Sequence, residues 1–249
     1  MHSSTTTRPA IVAHRGFSAA HRENSPDAWR AAHEAGADVI EADIRMTCDG
    51  TLVCCHDADL RRLAGRHETI ADIDAADLAA VTVEGSAAAP PLALLFSVLP
   101  AAQAILFDVK DERPEVLDRL AAAASASGRD TLFFGLHDIA SVRHVRARTS
   151  ATILGLLKEP DEEEAFFAAG GTILRLWECD AIPERLRAVK GRNRRVWVTT
   201  GHHQTGRDVG DFAPEVLRRM AADGAAGFLV NDPVAAREAL AGLHSEPSA

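Results

Sequence analysis

The four cysteines, Cys48, Cys54, Cys55 and Cys179, contain no C-x-x-C pair, which removes support for a zinc ribbon or a thioredoxin-type motif. Cys54 and Cys55 are neighbours in an apolar, strand-like run. Their side chains point to opposite faces, so they do not bridge each other. Reduced, buried thiols are expected, and with them a cytoplasmic address. Basic charge is also scarce: 27 Lys and Arg stand against 36 Asp and Glu, for a net charge of −9. A general nucleic-acid binder needs a basic footprint that this chain lacks. The one basic run, Lys190, Arg192, Arg194 and Arg195, reads as a solvated loop between helix and strand. No apolar run approaches the ~18 residues of a membrane span. The opening MHSSTTTRP has no apolar signal core. A protein without a stable membrane anchor is expected, with loosely ordered polar tails at 1–9 and 244–249.

What is present is a 47% apolar chain of 249 residues in which short β-like runs alternate with amphipathic helical runs. That alternation predicts a parallel sheet with crossover helices. The strand candidates are Ala10–Ala13, Val39–Ile44, Ile105–Val109, Leu132–Leu136, Ile153–Leu157, Ile173–Leu176, Val196–Thr199 and Gly227–Val230. They are near-continuous apolar runs, as strands covered on both faces should be. Ser25-Pro26, Pro114, Pro183, Pro214 and Pro233 open the helices between them, and Gly36, Gly128 and Gly224 close three. Eight strand–helix pairs count out an α/β protein of the (β/α)8 TIM-barrel class, a single domain over 10–243. A doubly wound open sheet is the runner-up, but no G-x-G-x-x-G follows a strand. The alternation breaks after the second strand, where a polar stretch at about 58–90 is too long for a βα loop. We read it as an excursion on the active-site face.

Chemistry concentrates between Ile11 and Asp57. A barrel carries its site at the C-terminal strand ends. There the first strand ends in His14-Arg15, the second in Glu41-x-Asp43 and the third in Asp108-x-Lys110. Residues i and i+2 of a strand share a face, so three carboxylates and a lysine converge. Three carboxylates in a poorly solvated site repel one another. A single divalent cation resolves this, and oxygen-only ligands favour Mg²⁺ or Ca²⁺. Arg15 and Lys110 beside a cation describe an oxyanion site, with phosphate the natural guest. His14 and His56 can serve as general base and general acid. Arg15 favours a neutral His14, while Asp57 can orient or charge His56. Glu178, Cys179, His202 and His203 follow strand ends and are lesser candidates for the pocket wall. Trp29 and Trp177 read as packing residues, and Glu23-Asn24 as either functional or structural.

The pieces IVAHRG, REN, EADIRMTCDGTLVCCHDADLRRLAG, LFDVK, RVWVTT and GAAGFLVNDP resemble, in order, the signature of the glycerophosphodiester phosphodiesterase family. The resemblance spans about residues 10 to 235 and is most specific in the first third. It implies a (β/α)8 barrel that hydrolyses glycerophosphodiesters to glycerol phosphate and an alcohol. It implies His14 and His56 as the acid–base pair, and Glu41, Asp43 and Asp108 as the cation ligands. It assigns Arg15 and Lys110 to the phosphate, and Trp197 to the pocket wall. The chain departs from the pattern at Asp108, where glutamate is usual, and at Arg22, Thr200, Val230 and Asn231. Those changes bear on substrate identity more than on the acid–base pair. A sphingomyelinase D-like or lysophospholipid phosphodiesterase is the alternative within the same chemistry, and a non-catalytic phosphodiester-binding barrel the alternative outside it.

Overall fold

In a computed structural model, which describes residues 8–241, the alternation becomes a closed ring of strands. In chain order the elements are β1 (Ala10–Ala13), α1 (Pro26–Glu34), β2 (Val39–Met46), β3 (Leu52–Cys54), α2 (Arg61–Ala64), α3 (Ala75–Ala79), β4 (Thr82–Val83), β5 (Ser86–Ala87), α4 (Leu92–Val98), β6 (Ala104–Val109), α5 (Pro114–Ala126), β7 (Leu132–Leu136), α6 (Ile139–Arg146), β8 (Thr152–Gly155), α7 (Glu163–Ala168), β9 (Ile173–Trp177), α8 (Pro183–Gly191), β10 (Arg195–Thr199), α9 (Pro214–Asp223), β11 (Gly227–Val230) and α10 (Pro233–Ala241). Strand β1 pairs in parallel with both β2 and β11, and the order β11-β10-β9-β8-β7-β6-β2 completes the circle. This is the expected (β/α)8 TIM barrel. Of the expected tails, all but Arg8 and Pro9 lie outside the described residues. Arg8 is tied down by Asp38 at 2.6 Å.

Strand alternation sorts the side chains into two layers. Ile40, Ala42 and Ile44 of β2 face outward and pack with Trp29 of α1, Phe107 and Leu95. Val12, Val39, Leu106, Phe133, Leu154, Ile173, Trp197 and Leu229 face inward and fill the barrel. The helices start where their caps predict. Ser25 accepts a hydrogen bond from the Ala28 N–H at 3.1 Å, and Pro26 takes the first helical position. The basic run behaves as a solvated surface, because Arg192 and Arg194 pair with Glu164.

Four differences from expectation have local causes. Strand β2 extends to Met46 because Arg45 and Met46 pair antiparallel with Val53 and Leu52 of β3. Strand β8 ends at Gly155 rather than Leu157, having paired with β9 only through Leu154 and Gly155. Strand β9 runs on to Trp177, paired on its other side with β10, so a gap opens between β8 and β9 at the barrel mouth. Lastly, the excursion after β2 is not merely polar. Cys55, Leu60, Ile70, Ile73, Leu78 and Val81 form a separate small core with Val53 and Ala88, around α2, α3 and the β4–β5 hairpin. Cys54 joins the main core and Cys55 the small one, as opposite strand faces require. No helix among the described residues is long and apolar enough to cross a membrane.

Candidate active site

Strand β1 delivers His14 and then turns sharply. Arg15 has φ 57° and Gly16 φ 83°. A Cβ on Gly16 would lie 2.7 Å from the Ala28 backbone, so only glycine lets α1 approach here. The turn aims the Arg15 N–H at Glu41 Oε2, 2.6 Å away. The Arg15 guanidinium meets Glu23 at 3.0 Å and Asp43 at 3.3 Å. Against the cost of burial, Asp43, Glu23 and Glu41 hold it firmly protonated.

His14 is defined by its partner Asn231, so the departure at that position acts on the proposed acid–base pair directly, contrary to the expectation from sequence. Asn231, just past β11, donates its amide N–H groups to Val209 O (2.8 Å) and Asp211 Oδ1 (3.0 Å). Its Oδ1 therefore faces His14 Nδ1 at 2.9 Å and accepts from it. That bond places the proton on Nδ1 and leaves Nε2 basic. Burial, and then the Arg15 charge, push the imidazole down to about 4. His14 is neutral at pH 7.

Glu41, Asp43 and Asp108 each offer one carboxylate oxygen, all within 4.8 Å of one another. Glu41 Oε1 and Asp108 Oδ1 are buried without a hydrogen-bond donor. Asp43 Oδ1 has only the Lys110 ammonium, at 3.2 Å. Burial, with Asp43 and Asp108 beside it, raises the Glu41 carboxyl well above the usual carboxylate range. Asp43 goes the other way: despite burial, Lys110 and Arg15 hold it ionised. Lys110 also meets Asp108 at 2.7 Å, and these two carboxylates keep it charged against desolvation. Orphaned, converging oxygens of this kind fit a hard divalent cation.

His56 lies just past β3. Its Nδ1 contacts Asp57 at 2.7 Å. Arg62 of α2 binds Asp57 and both oxygens of Glu23. Despite burial, hydrogen bonds from His56 and Arg62 hold Asp57 below the usual carboxylate range. A chain of contacts thus links Arg15, Glu23, Arg62, Asp57 and His56. A cleft of about 400 Å³ opens beside it, lined by His14, Arg15, His21, Arg22, Arg62 and Asn231 among others.

Seven of the eight residues proposed from sequence occupy this end of the barrel. Trp197 does not join them. It is 3% exposed in the apolar barrel interior, its ring tilted against that of Phe133 with centroids 5.0 Å apart. A Cβ on Gly227 would strike its ring at 2.6 Å. Packing explains this tryptophan. The tryptophan that lines a cavity is instead Trp177, read from sequence as a packing residue. Glu178 serves structure, binding Arg207 and the Gly201 N–H (2.8 Å). His202 packs on Trp177 and lies 3.6 Å from Cys179 Sγ.

Two contributors were underrated. Asn24, at φ 50°, donates to Asp43 Oδ2 (2.7 Å) and accepts from the Asp43 N–H (3.1 Å), fixing that carboxylate. Its place in REN was the available signal. His137, after β7, sits 3.8 Å from Asp108 Oδ1 and had no sequence partner to announce it.

The family model for the glycerophosphoryl diester phosphodiesterase family matches residues 14–113. A probable glycerophosphodiester phosphodiesterase 1 of Mycobacterium tuberculosis is 52% identical over 54 residues, 22% of this chain and 20% of that protein. The chain thus matches about a fifth of that curated relative's length. The glycerophosphodiester phosphodiesterase structure from Thermotoga maritima superposes with a TM-score of 0.77 at 22% identity, covering 92% of this chain and 97% of that one. A phosphodiesterase from Oleispira antarctica, solved with its product sn-glycerol-3-phosphate, gives 0.78 at 15% identity, covering 94% and 97%. At these identities the structural matches speak to fold alone.

Proposed function

We propose that the chain, whose residues 14–113 match the glycerophosphoryl diester phosphodiesterase family model, hydrolyses glycerophosphodiesters to glycerol phosphate and an alcohol. The observation that carries the reading is the constellation of two histidines with different partners, the half-buried Arg15 and Lys110, and three converging carboxylates at one barrel mouth. Glu41, Asp43 and Asp108 would hold one divalent cation, which supplies charge neutralisation at the phosphoryl oxygens. Arg15 and Lys110 bind the phosphate and offset its charge as it grows.

The two histidines divide the proton work. His14 is neutral, with Nε2 free, so it takes a proton from the attacker, either water or a neighbouring glycerol hydroxyl whose cyclic ester water then opens, as the new O–P bond forms. His56 is oriented by the Asp57 carboxylate, which fixes the Nδ1 side of its ring. It gives its Nε2 proton to the leaving alcohol oxygen as the second P–O bond breaks. Arg62 keeps Asp57 and Glu23 in place, and so keeps His56 and Arg15 aligned. The cationic lining of the cleft beside His14 suits an anionic substrate.

The test is release of glycerol phosphate from glycerophosphoglycerol and glycerophosphocholine with Mg²⁺ or Ca²⁺. Activity is expected with cation and none after EDTA. Turnover that survives both chelation and loss of His14 would overturn the reading.

A further inference from the structure

The gap between β8 and β9 holds a cavity of about 310 Å³, lined by Arg175, Trp177, His137, Lys158 and Asp180 among others. Arg175 is the unusual member. Ile173 and Trp197 face the barrel interior, and Arg175 pairs in register with Trp197. Strand alternation therefore turns Arg175 inward too. It stands on β9, four strands round the ring from β2 in either direction, opposite the strand that carries Glu41 and Asp43.

A guanidinium in such a place normally has a carboxylate partner. Among the described residues Arg175 has no ion pair, and its Nε is buried without an acceptor. Its contact is the Trp177 ring, 4.1 Å from the guanidinium carbon to the ring centroid. Burial pushes it down to about 10, still protonated at neutral pH. Asp108 and Asp180 offset its charge only through space, without a direct ion pair; a largely desolvated charge of this kind is costly, and its fork of donors suits an anion. The scissile phosphate already has Arg15 and Lys110. Lys158, Glu159 and Asp180 on the rim are exposed and mixed in sign, Glu163 in the wall is paired with Arg194, and Arg185 is half-buried, which leaves Arg175 as the inward-facing cation of the cavity. The cavity borders the carboxylate cluster through His137, 3.8 Å from Asp108.

We propose that Arg175 determines specificity by binding a second anionic group on the alcohol moiety of the substrate, which lies across the barrel mouth from the scissile phosphate. This rests on the diesterase reading above and narrows it to phosphodiesters whose alcohol itself carries a phosphate. The same geometry disfavours quaternary ammonium head groups. Such a head would need an open aromatic face, and Arg175 covers Trp177 while repelling the charge.

The experiment compares kcat/KM for three probes: deacylated cardiolipin (a second phosphate in the alcohol), glycerophosphoglycerol (uncharged alcohol) and glycerophosphocholine (cationic alcohol). Wild type should prefer them in that order. The preference for the first over the second should be on the order of tenfold or more, as a charge-assisted hydrogen bond gives. In Arg175→Gln that preference should collapse through KM, while glycerophosphoglycerol turnover stays within about threefold. Arg175→Lys, which keeps the charge but not the fork, should recover part of it. A wild-type preference ratio near unity, or one that Arg175→Gln leaves intact, overturns the assignment while the diesterase reading stands. Failure of wild type to cleave any of the three overturns the diesterase reading, and this inference with it. The wild-type ratio decides the matter even if Arg175→Gln does not fold.

Discussion

His14 and His56 carry the same side chain and face neighbours of opposite character. Asn231 gives His14 an uncharged acceptor, and Arg15 discourages its protonation. Asp57 gives His56 a negative one. Replacing either with alanine should lower kcat by about 10²–10⁴-fold, read as glycerol phosphate release. Because His14 is held near 4 rather than 6.5, its base form persists as pH falls through the ordinary imidazole range. The acidic limb of kcat/KM should therefore lie well below pH 6.5, and a limb at that value would reassign the base. Asn24 makes a separate prediction. Asn24→Ala removes both bonds to Asp43 and should weaken cation affinity about 10- to 100-fold by calorimetric titration. Asn24→Gly suits the positive φ and should match it in affinity while losing less stability.

Among the elements, the segment after β3 does more than cover the mouth. Its small core holds α2, and α2 carries Arg62, which fastens Asp57 and Glu23. Ile70→Ala should destabilise this unit by about 2–5 kcal/mol. Hydrogen exchange should show lost amide protection across the segment, with β6 of the barrel unchanged. Activity should fall with it, because His56 loses its backing. The apolar residues of this unit follow neither a period of two nor one of 3.6, so sequence reading sees only polarity there. Short helices and two-residue strands leave too few repeats for a pattern.

The whole molecule keeps three carboxylates buried against one another, and stability should report on it. Adding Mg²⁺ or Ca²⁺ should raise Tm, with about 2.7 kcal/mol expected at a hundredfold excess over Kd, and EDTA should reverse the shift. Glu41 retains its proton well above the usual carboxylate range, so the cation must displace it. Binding then releases a proton, and the rise in Tm should grow with pH. Asp108→Asn should abolish the shift, and an unchanged shift in that variant would exclude Asp108 as a ligand.

Sequence alone determined the barrel, because eight apolar runs between proline-opened helices leave few ways to bury their faces. It also put Glu41 and Asp43 on one side, because i and i+2 positions on a strand must share a side, while the parallel register of β2 and β6 set Asp108 beside Asp43. Tertiary structure decided what depends on partners far apart in the chain. Trp197 and Trp177 both end up on barrel strands, yet one fills the interior beside Phe133 and Gly227 while the other lines a cavity. No local pattern separates them, since the difference arises from where β8 stops pairing with β9. Asn231 reaches His14 across 217 residues, and Arg62 reaches Glu23 across 39. Such contacts set proton positions and charge states, which exist only once ring closure brings the chain's two ends together.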